Sequence, residues 1–286
     1  PLPPDVLTLL KFCSAYYHHP LGETVLNALP ARLRRRQQAP TGGTFRYRLT
    51  STGHAVDPAA LPRRATVKFE LLRRLREAAR GLDESALRAI APRALATLKT
   101  MIAQGWVESV AVAPAALNAA PAQESRGPTL SAEQRIAVES IRSKPGEFSP
   151  WLLLGITGSG KTEVYLELIA ATHADGRQAL VLVPEINLTP QLEARVRARF
   201  PSAQLATLHS ALGESERSQN WLAAQSGQAG IVLGTRLAVF APMPKLGLIV
   251  VDEEHDASFK QSAGLRYSAR DVALLRAKLR AIPIVL

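Results

Sequence analysis

Eight residues, GITGSGKT at 155–162, stand between an apolar run, WLLLG (151–155), and a helical stretch that begins at Thr162 and ends at Gly176. They fit G-x-x-x-x-G-K-T in the strand–loop–helix setting that the motif requires. Glycines permit a tight loop whose N–H groups turn toward phosphates, and the helix N-terminus adds partial positive charge. Gly155, Thr157, Gly158, Ser159 and Gly160 are therefore the candidate phosphate cradle. Lys161 is the candidate cation for the β- and γ-phosphates of ATP, and Thr162 the candidate hydroxyl for Mg2+.

The surrounding pattern agrees. ALVLVP (179–184), QLATLHS (204–210), AGIVLGT (229–235) and LGLIVVDEEHD (246–256) are apolar runs of strand length. Helical stretches separate them: SAEQRIAVESIRS, with Ser131 as cap and Gln134 in the first turn, TPQLEARVRARF and ERSQNWLAAQSG. Continuous apolar strands alternating with helices predict a parallel α/β sheet covered on both faces, with its ligand site at the carboxyl ends of the strands. Asp252 follows the strand LGLIVV, so it is placed to hold Mg2+ opposite Thr162, and Glu253 to orient or deprotonate a water. No N-K-x-D segment occurs, which argues against a GTPase.

The first half is built differently. Residues 5–30 show a helical pattern punctuated by Pro20 and Pro30. Arg32, Arg34, Arg35 and Arg36 then bunch before a Gly pair, as a solvated linker or a phosphate contact. TFRYRLT (44–50) alternates like a strand, and TVKFELLRRLREAAR, DESALRAI and PRALATLKTMIAQG read as three helices, with Gly105 ending the last and WVESVAV as a strand. This order predicts a winged helix whose third helix carries Arg93 and Lys99 toward DNA or else serves a protein contact. The Ala/Pro-rich stretch 113–127 reads as a linker.

Of the 286 residues, 35 are Lys or Arg and 24 Asp or Glu, a net charge of +11, so an acidic polymer is the natural partner. Cys13 is the single cysteine, which rules out a disulfide framework and a cysteine-rich zinc site within the chain. No apolar run reaches the roughly 20 residues of a membrane span, and no secretory signal is visible. The first residue is Pro1 and the last run is AIPIVL, so both ends read as the edges of a fragment.

Four stretches together are highly specific: LVLVPEINLTPQ (180–191), TLHSALGESERSQNW (207–221), IVLGTRLAVFAP (231–242) and DEEHDASFKQSAGLRYSARDVAL (252–274). They resemble the primosomal replication-restart helicases, as does FCSAYYHHPLGETVLNALPARLRR near the start, so the resemblance spans essentially the whole chain. It implies a bacterial, cytoplasmic superfamily-2 helicase that moves 3′ to 5′, recognises stalled or abandoned forks and helps restart replication. Its partners would be branched and single-stranded DNA, primosome proteins and single-stranded DNA-binding protein. Residues 1–40 would be the end of a domain that binds a 3′ DNA end, 41–112 the winged helix, and 128–286 most of a RecA-like P-loop lobe.

Within that lobe, Gln134 resembles an adenine reader and His255 a residue coupling hydrolysis to DNA contact. Pro184, Glu185, Thr235 and Arg236 fall in segments resembling DNA-facing motifs. SFKQSAGLRYSARD resembles an aromatic-rich DNA-sensing loop, and Phe259, Lys260, Arg266, Tyr267 and Arg270 are its candidate contacts. Leu237, Ala211 and Ser268 depart from the family pattern. A second lobe with its arginine finger, and a cysteine-rich zinc module, are expected of the family and have no counterpart in this sequence, so this chain is expected to bind DNA, and nucleotide weakly, with little turnover. The alternatives are another translocase of the superfamily and a non-enzymatic winged-helix adaptor.

Overall fold

A computed structural model describes residues 2–34, 44–57, 62, 65–78, 81–82, 87, 90–91, 94–112, 127–144, 146–156, 159–185 and 190–286. Contacts divide the chain into two units, one of Pro1–Ala39 and Ala119–Leu286, the other of Pro40–Asn118. Arg35, Arg36, Arg93, Thr157 and Gly158, the expected helix start at 83–86 and the linker at 113–126 lie outside the described residues.

The larger unit opens with α1 (Pro4–Tyr16), α2 (Leu21–Ala28) and α3 (Ala31–Arg34), separated by the two prolines as their fixed φ and missing N–H require. Val6, Leu9, Leu10 and Cys13 of α1 are buried at i, i+3, i+4 and i+7, one helical stripe.

In the smaller unit β1 (Thr44–Leu49) pairs antiparallel with β2 (Val107–Val112). Between them lie α4 (Ser51–Ala55), α5 (Thr66–Glu77) and α6 (Ala94–Ala103). Leu71, Leu72, Leu75, Leu98 and Met101 close its core. The short α4 escaped the sequence reading because five residues carry no periodicity. It is started by Thr50, whose Oγ1 accepts from Gly53 N at 3.1 Å. Gly53 is dictated by packing, since a Cβ there would lie 2.0 Å from the Trp106 carbonyl oxygen.

The larger unit resumes with α7 (Ala132–Arg142), β3 (Ser149–Trp151), α8 (Lys161–Ala174), β4 (Gln178–Leu182), α9 (Pro190–Arg199), β5 (Gln204–Leu208), α10 (Glu214–Gln225), β6 (Ala229–Gly234), β7 (Leu246–Val251), α11 (Ala269–Arg280) and β8 (Pro283–Val285). The strands form one parallel sheet in the order β3-β8-β7-β4-β6-β5. Successive residues of each strand face opposite layers. Leu180, Leu182, Val232 and Ile249 join the layer of α1, α10 and α11. Ala179, Val181, Ile231 and Val250 join that of α7, α8 and α9. Burial on both faces is what the unbroken apolar runs of β4, β6 and β7 signalled.

The run WLLLG behaves otherwise. Its strand ends at Trp151, while Leu152 and Leu154 are 61% and 83% exposed. The reason is position: β3 is an edge strand with β8 as its one neighbour, and Leu153 alone of the three leucines packs inward.

Two buried polar side chains fasten the layers. Gln178 donates its amide to the carbonyls of Ala224 and Ala229 and accepts from Lys245 N, so its hydrogen-bonding capacity is met. Arg276 of α11 donates to the carbonyls of Val239 (2.7 Å) and Ala241 (2.6 Å). Burial pulls its pKa down to about 10.

Candidate active site

The turn from β3 into α8 and the turn after β7 meet at the carboxyl edge of the sheet. They enclose a cavity of about 560 Å3, lined among others by Gly155, Ile156, Lys161, Tyr165 and the run Asp252–His255. Asp252 is held at this edge because its N–H extends the β7–β4 ladder to the Leu182 carbonyl at 2.9 Å. Lys161 opens α8, and its ammonium donates to the carbonyls of Gly155 and Ile156. The loop's own carbonyls thus hold the one side-chain cation lining this cavity among the described residues.

Asp252 titrates above the usual carboxylate range, mainly because it is buried and secondarily because Glu253 adds a like charge. The Tyr165 hydroxyl, 3.4 Å from Asp252 Oδ2, and the charge of Lys161 pull in the other direction. Tyr165 is itself pushed up to about 12 by burial and hydrogen-bonds Thr162. Thr162, Tyr165 and Asp252 therefore form a polar chain from α8 to β7. Tyr165 was not among the expected site residues. Its signal was its spacing, four residues after Lys161 and so on the same helical face.

Glu253 is exposed and has φ of 49°, the left-handed region that costs a side-chain-bearing residue roughly 1–3 kcal/mol. His255 is exposed at the same turn. Glu254, also on the cavity lining, accepts from Arg270 Nη1 at 2.9 Å.

Gln134 stands beside the loop but is committed twice. Its Oε1 accepts from Ser131 N at 2.8 Å while Ser131 Oγ accepts from Gln134 N, a reciprocal cap on α7. Its Nε2 donates to the carbonyls of Ser159 and Gly160, both at 3.4 Å. Gly160 has φ of 80°, and a Cβ there would meet Gln134 Nε2 at 2.4 Å. A Cβ on Gly155 would meet Ser159 Oγ at 2.4 Å. This tightness is what a cradle for phosphate oxygens needs, and a single carboxylate with a hydroxyl opposite suits Mg2+ that keeps water and phosphate ligands. The donor set fits a magnesium nucleotide. Among the described residues no group of three His, Cys, Asp or Glu side chains is placed to hold a metal by itself, and no helix is long and apolar enough to cross a membrane.

The expected DNA contacts separate into two sets. Lys260 and Arg266 are exposed, as is Lys99 in the smaller unit. Phe259 and Tyr267 are not surface stacking groups: they are 2% and 3% exposed, within the core layer that includes α1. The Tyr267 ring lies 5.1 Å from that of Phe240. Neither ring can stack on a base without leaving this core, a correction to the sequence expectation. Thr235 is buried. Arg236 donates to the Ser258 carbonyl at 3.1 Å, and Arg270 is paired with Glu254 and Asp271. These two arginines hold the loop to the rest of the unit. The signal missed was long-range: Tyr17, the residue that follows α1, accepts through its hydroxyl from Ser268 N at 3.4 Å across 251 residues.

The family model for DEAD/DEAH box helicases matches residues 131–283, more than half of the sequence, and the chain belongs to that family. Within it, the similarity runs to replication restart protein PriA. The chain is 35% identical over 287 residues to "Replication restart protein PriA" of Haemophilus influenzae, covering 97% of this chain and 38% of that protein. It is 46% identical over 159 residues to the protein of the same name from Bacillus subtilis, covering 55% of this chain and 20% of the relative. These matches bear out the resemblance read from the sequence, and the chain spans about two fifths or less of such relatives. Among solved structures, "Structure of RecG bound to three-way DNA junction" aligns with 56% of this chain and 21% of that chain, at 24% identity and a TM-score of 0.43.

Proposed function

We propose that this chain is the part of an ATP-dependent, 3′-to-5′ DNA helicase of replication restart that binds the nucleotide and contacts branched and single-stranded DNA. The observation that carries the reading is the single cavity at the ends of β3 and β7 lined by Lys161, Tyr165, Asp252, Glu253 and His255. In this reading Gly155 and Gly160, with Thr157, Gly158 and Ser159, cradle the phosphates, and Lys161 leaves its loop carbonyls for the β- and γ-phosphates. Thr162 and Asp252 hold Mg2+, which when bound neutralises phosphate charge. Glu253 orients the water, and its left-handed backbone is the strained conformation that such placement would hold. His255 links this turn to the DNA-facing loop, and Gln134 ties α7 to the cradle beside the base.

The smaller unit is proposed as the winged helix, with Lys99 and Arg93 toward DNA, and residues 1–40 as the end of the 3′-end-binding domain. Lys260, Arg266 and the segment around Thr235 and Arg236 meet the strand. Transition-state charge has to come from elements outside this chain. A fluorescent ATP analogue titrated with Mg2+ tests the site: Lys161→Ala should weaken binding at least about tenfold, a loss of roughly 1.4 kcal/mol. Unchanged affinity refutes the site, and DNA-stimulated ATP hydrolysis by this chain alone refutes the requirement for further elements.

A further inference from the structure

A second cavity, about 200 Å3, opens at the carboxyl ends of β5 and β6. Its walls come from two distant stretches of the larger unit: Leu29 and Arg34 around α3, and Leu208, Arg217, Trp221 and Leu237 from the sheet side. Helix α3 packs on α10, which closes one end. Leu237 departs from the small polar residue expected after G-T-R and is 44% exposed. Its side chain gives this polar-rimmed cavity an apolar wall.

The polar groups are mostly donors. Arg217 Nη2 is spent on the carbonyls of Ser210 and Leu212, which fixes the turn carrying His209. Arg217 Nε and Trp221 Nε1 are buried with no acceptor. Arg34 is exposed, its Nε bonded to the Leu29 carbonyl, so its charge stands at the rim. One carboxylate, Glu185, reaches this turn, accepting from Ser210 Oγ at 3.4 Å. A ligand with a flat apolar body, acceptor atoms on its edge and an attached anion matches these features.

We propose that this cavity seats one unpaired base of single-stranded DNA, with the adjoining phosphate on Arg34. The inference rests on the DNA reading above, and it adds a base subsite on the same sheet edge as the nucleotide cavity. It also relieves the burial of Phe259 and Tyr267, since a base held at Leu237 needs neither ring.

The test compares a fluorescent twelve-residue thymidine oligomer with an abasic oligomer of the same length, bound to this chain. Base seating should favour the thymidine oligomer about tenfold, within the range for one buried base. Leu237→Ser should bring that ratio near one with abasic affinity kept, and Leu237→Phe should keep the preference. Arg34→Ala should weaken both oligomers alike and reduce the salt slope by about one. A ratio of one in the unmodified chain, or a tenfold ratio that survives Leu237→Ser, overturns the proposal, the latter placing the base elsewhere. If neither oligomer binds, the DNA reading itself fails, a result distinct from abasic binding with no base preference.

Discussion

Gly160→Ala isolates how the nucleotide loop is built. Two costs follow from the structure. At φ of 80° an alanine pays the left-handed penalty, roughly 1–2 kcal/mol. Its Cβ would also sit 2.4 Å from Gln134 Nε2. The amide is the far end of a flexible side chain, so it moves, and the reciprocal cap with Ser131 is lost at about 1 kcal/mol. The total is about 2–3 kcal/mol. In a Gln134→Ala background the steric and capping parts are already gone, so only about 1–2 kcal/mol should remain. Urea unfolding followed by Trp151 and Trp221 fluorescence, in a Trp106→Phe background, reports on the larger unit. With a slope of roughly 2 kcal/mol/M, the midpoint should fall by about 1 M in the native background and visibly less with Gln134→Ala. Equal shifts in both backgrounds would show that Gln134 and Gly160 are uncoupled, and no shift in either would show that the loop is not left-handed at this residue.

Four further outcomes are expected. Leu71→Ala should cost about 2–5 kcal/mol and unfold the smaller unit first, seen as loss of Trp106 fluorescence at lower urea, because Leu71 is fully buried in a small core. Arg276→Met should cost about 2 kcal/mol, since two buried carbonyls lose their donor while relief of guanidinium burial offsets part of the loss; circular-dichroism melts measure it. Cys13, buried and pushed up to about 12, should resist a thiol reagent at neutral pH until denaturant is added. Glu70, lowered to about 2 by its bonds to Arg73 and Arg74, binds its proton more weakly folded than unfolded. Its small stabilisation is therefore present above the ordinary carboxylate pKa and lost as pH falls toward about 2, and Glu70→Gln should flatten that part of the smaller unit's pH profile.

The sequence by itself determined the parallel sheet, because β4, β6 and β7 are buried on both faces and so carry unbroken apolar runs, and it determined the loop at 155–162 through its glycines and the strand–helix setting. It also placed Asp252 at a strand end. Only the tertiary structure decided which of these groups share a cavity, since β3 and β7 are separated by β8 in the sheet and by about a hundred residues in the chain. It decided that Leu152 and Leu154 lie on an exposed edge, which an apolar run cannot disclose. It decided the fate of Phe259 and Tyr267 as well. Among cations in a short loop they read as surface groups, but they belong to a core layer that α1, far away in sequence, helps to build, and burial depends on neighbours that local pattern does not encode.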